Sequence, residues 1–182
     1  MKAIVNDISS KTWFVVAVED EFKPVNANIL YTGVGKVRAA MATQWLVDHY
    51  DVEKIINVGT AGAGNNDEWM IGMHQIDSVR ERDFTVPGGE EHVLSITNND
   101  EFRLFYYTCH TGDSFVSSWE DYDKTDCADM EAYAIAYVCQ QNKISFECYK
   151  FISDSGNIED WKQSLKLCNK IFGQYFNLEV KE

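Results

Sequence analysis

Short apolar runs alternate with longer periodic segments along this chain. Short runs bounded by polar residues or glycine are typical of buried strands, and apolar residues every three or four positions are typical of helices. The runs predict strands at Trp13–Val18, Asn28–Tyr31, Lys54–Val58, Ile76–Arg82, Leu104–Cys109 and Phe146–Ile152. The periodic segments predict helices from Lys36 to about Tyr50, over Asp129–Gln140, and from Trp161 to about Tyr175. Strands that alternate with helices predict a three-layer α/β/α fold.

The first predicted helix has an apolar face, on which we expect Val37, Ala40, Met41 and Leu46. No repeat, low-complexity tract or Pro/Gly/Ser linker divides the sequence. We therefore expect residues 1–182 to form one domain, which is long enough to bury a sizeable core.

Composition narrows the class of protein. Five Trp, nine Tyr and ten Phe argue against disorder. The formal net charge of −13 argues against binding to nucleic acid or to an anionic membrane surface, because both require a basic face. We therefore expect a small-molecule ligand rather than either of these partners.

The cysteines and the N-terminal residues indicate in which cellular compartment we expect the protein. The five cysteines are widely spaced and form no C-x-x-C pair, which favours a reduced protein over a disulfide scaffold or a zinc site. The first residues have no signal-peptide core, and Trp13–Val18 is too short to span a bilayer. The expected location is cytoplasmic.

The sequence indicates neither a metal site nor an organic cofactor. Its four histidines, at positions 49, 74, 92 and 110, have no metal-ligand spacing. A G-x-S-x-G nucleophile motif is also missing from the sequence. We predict that the protein works without metal or cofactor.

Two glycine turns follow predicted strands. Gly33-Val34-Gly35-Lys36 is not a phosphate loop, because Val37 stands where such a loop has Ser or Thr and the glycines are too close together. The second turn spans Gly59–Gly64. Each is either a plain tight turn or a place where the backbone approaches a ligand.

Carboxylates stand near the ends of two later elements. Asp126, Asp129 and Glu131 precede the apolar run Ala132–Cys139, and Asp154 follows the last predicted strand. They are either helix caps that suit the helix dipole, or site residues. Ligands of α/β sheets bind at the carboxyl ends of strands. Two acids there, one holding sugar hydroxyls and one donating a proton, suggest cleavage of a bond to a sugar.

Five segments together resemble a known family. They are Tyr31–Ala40, Ile56–Gly62, Gly112–Val116, Asp129–Cys139 and Phe151–Gly156. In this order they are similar to the purine nucleoside phosphorylase/uridine phosphorylase superfamily, and most similar to its methylthioadenosine/S-adenosylhomocysteine nucleosidase branch. The resemblance covers roughly residues 12–170 and implies a three-layer fold with a central mixed sheet.

The resemblance implies a role for each matching residue. Asp154 is implied to be the general acid at purine N7, with Ser153 orienting it, and Glu21 to position the attacking water. Glu131 is implied to hold the ribose 2′- and 3′-hydroxyls. The other implied binding residues are Met130 beside the sugar, Phe115 and Val116 at the base, Thr60, Ala61 and Gly62 along the ribose, and Trp161 as a lid aromatic near the 5′ substituent.

The implied function is a nucleosidase that hydrolyses the N-glycosidic bond of a purine nucleoside or a 5′-modified relative. Hydrolysis is favoured because Asn57-Val58 has no arginine before Gly59, while Arg38, Arg80 and Arg82 keep phosphorolysis open. A nucleoside-binding protein without turnover is the alternative from another class. Relatives of this branch are usually longer, and the difference falls between about Trp69 and Cys109. The family also implies a homodimer or a higher homo-oligomer.

Overall fold

The predicted alternation of strands and helices is present in the computed structural model. The structure describes residues 1–63, 71–85, 92–96, 105–116, 118–120, 122–154 and 158–181; for Asp154 it describes the backbone only. The described strands are β1 (Lys2–Ile4), β2 (Thr12–Val16), β3 (Asn28–Tyr31), β4 (Lys54–Gly62), β5 (Gly72–Gln75), β6 (Ser78–Glu81), β7 (Val93–Ser95), β8 (Thr108–Thr111), β9 (Asp126–Asp129) and β10 (Ser145–Asp154). The described helices are α1 (Lys36–His49), α2 (Ala132–Asn142) and α3 (Ile158–Phe176).

The strands form one mixed sheet that is centred on β4. β4 pairs in parallel with β2 on one side and with β10 on the other, and β10 in turn pairs antiparallel with β5. β3 and then β1 extend the sheet beyond β2. The expected mixed α/β sheet is confirmed.

The sheet forks at the carboxyl end of β4. β2 follows β4 as far as the pair Val15–Asn57. Further along the same side, Gly62 pairs with Ala128 of β9, and β8, β6 and β7 continue the sheet from there. The gap between the end of β2 and the end of β9 leaves room for a site beside the last residues of β4.

Alternating side chains of β2 build two of the apolar cores. Trp13 and Val15 pack in a cluster with residues of α1 and α2. Phe14 and Val16, which point the other way, pack in a second cluster with Phe172 of α3. Helices therefore cover both faces of the sheet, as the three-layer prediction requires.

The predicted apolar face of α1 is confirmed for Leu46 and Ala40, which pack in the core, and was wrong for Val37 and Met41. Val37 and Met41 are 78% and 61% exposed, whereas Ala39, Ala42 and Leu46 are fully buried. α1 packs against α2 through its small alanines, which allow the two helices to approach closely. Val37 and Met41 face outward.

Other element boundaries also differ from the prediction. Asp129 ends strand β9 rather than starting a helix, and α2 begins at Ala132. The short strands β1, β5, β7 and β9 were not predicted. Several predicted positions lie outside the described residues: Gly64, Leu104, Ser155 and Gly156. Among the described helices, none is both long enough and apolar enough to cross a membrane.

Candidate active site

A cavity of about 460 Å³ opens at the fork of the sheet. Its volume lies in the range of small-molecule sites, roughly 300–1,000 Å³. Its lining consists of Ala17, Val18, Glu21, Val34, Thr60, Ala61, Gly62, Ser114, Phe115, Val116, Trp119, Ala128, Asp129, Met130, Glu131, Ser153, Ile158, Trp161 and Lys162. All predicted site residues whose side chains are described are in this set.

Glu21 is buried in the turn after β2 and is held in place by β4. Its Oε1 accepts hydrogen bonds from the backbone N–H of Thr60, at 2.8 Å, and from Thr60 Oγ1, at 2.6 Å. Its Oε2 accepts one longer bond, from the backbone N–H of Val18 at 3.3 Å. Oε2 therefore keeps acceptor capacity for a further donor such as water.

Glu131 lies across the fork, between β9 and α2, and is 7% exposed. Its Oε1 accepts a hydrogen bond of 2.8 Å from the backbone N–H of Gly35. Gly35 has a φ of 102°, a conformation that favours glycine, and this presents its N–H at the start of α1. The Gly33–Lys36 turn thus brings its backbone to a carboxylate that lines the cavity.

Burial raises the pKa of Glu131 to about 8, and the nearby negative charge of Asp129 adds to this shift. The positive charge of Lys150 and the hydrogen bond from Gly35 oppose it. The balance of these effects favours the protonated form of Glu131 near neutral pH. A ligand that donates hydrogen bonds to it will favour its ionised form.

Sequence reasoning missed a buried ion pair beside Glu131. Lys150 Nζ on β10 lies 2.8 Å from Asp129 Oδ2, and both side chains are at most 2% exposed. Asp129 also accepts hydrogen bonds from Thr111 Oγ1 at 2.6 Å and from the Ala132 backbone N–H at 2.8 Å. Although burial opposes ionisation, Lys150 and these donors lower the pKa of Asp129. The available signal was a lysine between two aromatic residues in a strand predicted to be buried.

The backbone of Asp154 lies at the same place. In the strand register Asp154 pairs with Gly62, and Gly62 pairs with Ala128 on its other side. Ser153, which lines the cavity, places its Oγ 3.5 Å from the carbonyl oxygen of Ala61. The side chain of Asp154 lies outside the described residues, so its predicted role stays a prediction.

The remaining walls are largely apolar and come from two segments. Phe115 and Val116 follow β8, and Trp119 completes that wall. Phe115 is 59% exposed, so much of its ring is open to solvent. On the other side, Trp161 of α3 donates a hydrogen bond of 2.8 Å from Nε1 to Thr60 Oγ1, which also binds Glu21.

Cations are scarce around this cavity. Among the lining residues that the structure describes, Lys162 is the one cation, and Arg38, Arg80 and Arg82 are not in the lining. Arg38 binds the carbonyl oxygen of Val34 at 3.0 Å. Within the described ranges, no group of three or more His, Cys, Asp or Glu side chains is arranged to hold a metal ion.

Comparison with known proteins finds a matching family model and similar sequences, which agree on one superfamily. The model of the phosphorylase superfamily matches residues 10–76. The 5′-methylthioadenosine/S-adenosylhomocysteine nucleosidase of Bacillus subtilis (strain 168) is 30% identical over 163 residues, covering 74% of this chain and 70% of that protein.

Solved structures share the fold. An enzyme of the same name from Colwellia psychrerythraea, in complex with adenine, has a TM-score of 0.68 at 20% identity and covers 85% of this chain and 88% of its own. Futalosine hydrolase of Helicobacter pylori has a TM-score of 0.70 at 16% identity, covering 91% and 97%. The identity with the Bacillus relative, together with the match to the superfamily model, shows that this chain belongs to the phosphorylase superfamily, in the branch of the 5′-methylthioadenosine/S-adenosylhomocysteine nucleosidases.

Proposed function

We propose that the cavity at the sheet fork is the active site for hydrolysis of the N-glycosidic bond of a purine nucleoside, with or without a 5′ modification. As a member of the nucleosidase branch, the chain is an N-glycosyl hydrolase. The observation that carries the residue assignment is the pair of buried acids Glu21 and Glu131, which line one cavity, Glu21 from the turn after β2 and Glu131 from the junction of β9 and α2.

We assign Glu131 to the ribose. Positive charge develops on the sugar as the glycosidic bond breaks, and a carboxylate beside it stabilises that charge. Hydrogen bonds donated by the 2′- and 3′-hydroxyls favour the ionised form of Glu131. They thus offset the effect of burial, which raises the pKa of this carboxyl to about 8. Met130, Thr60, Ala61 and Gly62 complete this side.

We assign Glu21 to the water nucleophile. Its Oε1 is occupied by two donors of Thr60, so it is fixed in orientation, while Oε2 has only the longer bond from Val18. A water bound to Oε2 can lose its proton to the carboxylate as it attacks the sugar.

We assign Asp154 to the leaving base. A purine anion is a poor leaving group, so N7 has to be protonated as the bond breaks, and Asp154 is the proposed donor, with Ser153 beside it. The register of β10 against Gly62 supports this role, because it places the Asp154 backbone at the cavity end of β4. Phe115 and Val116 are assigned to the base, and Trp161 to the 5′ side.

Water is the proposed nucleophile rather than phosphate. A phosphate dianion requires cations, and the described lining contains no arginine, while Lys162 lies in α3 near Trp161. Glu21, a buried acid, would also repel phosphate. A phosphorylase would instead require inorganic phosphate for turnover.

One experiment separates these possibilities. The protein is incubated with a panel of nucleosides and 5′-modified nucleosides, with and without phosphate, and free base and sugar products are quantified. We expect phosphate-independent release of purine base, which Asp154→Asn abolishes and Glu21→Gln lowers strongly, both with unchanged far-UV circular dichroism. Phosphate-dependent release would indicate a phosphorylase. Binding in a thermal-shift titration without any release would indicate a nucleoside-binding protein.

We also propose that the chain forms a homodimer or a higher homo-oligomer. Val37 and Met41 are exposed one turn apart on α1, and Val34 is exposed in the turn before the helix, where it lines the cavity. We infer that they form an apolar stripe next to the cavity. A second copy of the chain would cover this stripe. Light scattering should show an oligomer for the wild type and a smaller species for Met41→Glu, whereas a monomeric wild type would contradict the proposal.

A further inference from the structure

Lys36, the first residue of α1, is not in the cavity lining but lies among three carboxylates. Its Nζ lies 2.7 Å from Glu81 Oε1, in hydrogen-bond contact with Asp83 Oδ1, and 4.0 Å from Asp113 Oδ2. The side chains of Lys36 and Glu81 are 16% and 15% exposed, so this pair is largely shielded from water, whereas those of Asp83 and Asp113 are 31% and 48% exposed. Glu81 and Asp83 belong to the end of β6 and the turn after it, and Asp113 belongs to the turn after β8.

The backbone of the same turn binds two further carboxylate oxygens. The N–H of Lys36 donates to Asp113 Oδ1 at 2.8 Å, and the preceding N–H, of Gly35, donates to Glu131 Oε1 at 2.8 Å. Successive N–H groups at the start of α1 therefore hold the ribose acid and the turn after β8. The positive end of the helix dipole favours both contacts.

The turn after β8 is tied to the turn after β6 as well. The N–H of Asp113 donates to Asp83 Oδ2 at 2.8 Å, and the Arg82 guanidinium donates to the carbonyl oxygen of Ser114. Ser114 and the two residues that follow it line the cavity. The position of the base wall thus depends on these contacts.

Lys36 is the central cation of this arrangement. Burial disfavours its charge, but hydrogen bonds to Asp83 and Glu81 outweigh that effect and raise the pKa of its ammonium group. Without it, the carboxylates of Glu81, Asp83 and Asp113 would lose the cation that they share. Like charges this close repel one another, and water screens that repulsion only in part at Asp83 and Asp113. Because Asp113 is in an exposed turn, that turn is the part that can move away.

We propose that Lys36 is a positioning residue that holds the segment Gly112–Val116 against the start of α1 and so sets the base wall of the cavity relative to Glu131. It acts through Asp113 and does not touch the substrate. The kinetic consequence rests on the proposed function, whereas the structural consequence does not.

The test compares Lys36→Met with a matched control, Lys54→Met. Lys54 also makes a partly buried ion pair, with Glu147 at 2.6 Å, but it is the first residue of β4, at the end of the strand away from the fork. We expect Lys36→Met to raise KM for the nucleoside about tenfold and to change kcat by less than about threefold, since binding geometry rather than chemistry is disturbed. Lys36→Arg should restore most of the binding, and Lys54→Met should leave both constants as in the wild type.

Asp113→Ala tests the connection without a change to the helix. We expect it to raise KM at least as much as Lys36→Met does, because it removes the bond from the Lys36 N–H as well as the contact with Nζ. The double variant should be no worse than Asp113→Ala alone, because Lys36 acts through Asp113. Fully additive effects would overturn the proposal. This pair of variants also decides the matter if Lys36→Met folds poorly.

Hydrogen–deuterium exchange gives a readout that does not depend on activity. In Lys36→Met the amides of residues 112–116 should exchange at least about tenfold faster, while those of β4 and β10 keep their wild-type rates. Wild-type exchange together with a wild-type KM would overturn the proposal. If the wild type releases no base from any nucleoside, the proposed function fails, and the exchange rates still decide the role of Lys36.

Discussion

Replacing Glu131 by glutamine should make the protein more stable while it removes activity. Glutamine keeps an oxygen that can accept the Gly35 N–H and presents its amide N–H₂ group to the cavity, where water can bind it. What it removes is an ionisable group whose pKa burial and Asp129 raise from an ordinary 4.5 to about 8.

The gain follows from proton linkage. Between pH 4.5 and 8 the native state holds a proton on Glu131 that the unfolded chain has lost, so the wild type loses stability as pH rises through this window. One pKa unit corresponds to about 1.4 kcal/mol. The variant should therefore exceed the wild type by less than about 1 kcal/mol at pH 5, by about 3 kcal/mol at pH 7, and by about 4–5 kcal/mol at pH 8.5.

Urea unfolding of both proteins at these three pH values measures the differences. Glu159→Gln, a change at an exposed residue of α3, is the control and should stay within about 0.5 kcal/mol of the wild type. In the same preparation, Glu131→Gln should lower kcat by at least about a hundredfold, because the charge that stabilises the ribose is gone. A variant that gains no stability at pH 7, or gains the same amount at all three pH values, would refute the reasoning.

Three further predictions concern buried groups. Lys150→Met leaves Asp129 buried without its cation, so the free energy of unfolding should fall by about 3–5 kcal/mol and Tm by roughly 6–20 °C, and an unchanged melting curve would contradict this. Trp161→Phe removes the donor to Thr60 Oγ1, so the free energy of unfolding should fall by about 1 kcal/mol and KM should rise severalfold. Trp45→Phe on α1 is the control and should leave KM unchanged. All five cysteines are buried, and burial raises the pKa of Cys139 to about 12. Ellman's reagent at pH 8 should therefore find no reactive thiol in the native protein and five after unfolding, and rapid native labelling would count against this packing.

Much of the fold could be predicted because its inner strands are short, apolar and bounded by glycine or acidic turns. β2, β3, β4 and β10 lie where the sequence predicts them, and so do the three helices. β9 was not predicted because acidic residues such as Asp126 and Asp129 just before an apolar run are typical of the first turn of a helix. Their burial depends on partners far along the chain, Lys150 for Asp129 and His110 for Asp126, which local patterns do not reveal.

The site residues were predicted from motifs that resemble those of a known family, whereas the structure reveals that they lie close together. Ten of the eleven predicted residues line one cavity, and the side chain of the eleventh, Asp154, lies outside the described residues. The contacts that hold them were not predictable: Glu131 on Gly35, Glu21 on Thr60, and the Lys36 cluster all join residues that are tens of positions apart. The error at Val37 and Met41 of α1 has a physical cause too, since the helix packs through Ala39 and Ala42 together with Leu46, and small side chains allow a close approach.

The pairing of β4 with β10 sets the order in which this protein can assemble on the ribosome. β4 is synthesised about ninety residues before β10, yet β10 covers one of its edges over nearly its whole length. Until residue 154 has emerged, that edge offers unpaired N–H and C=O groups to any passing strand. Such late, non-local closure is slow and exposes the chain to aggregation. The strand that completes the cavity is therefore also the one that closes the open edge of β4 during biosynthesis.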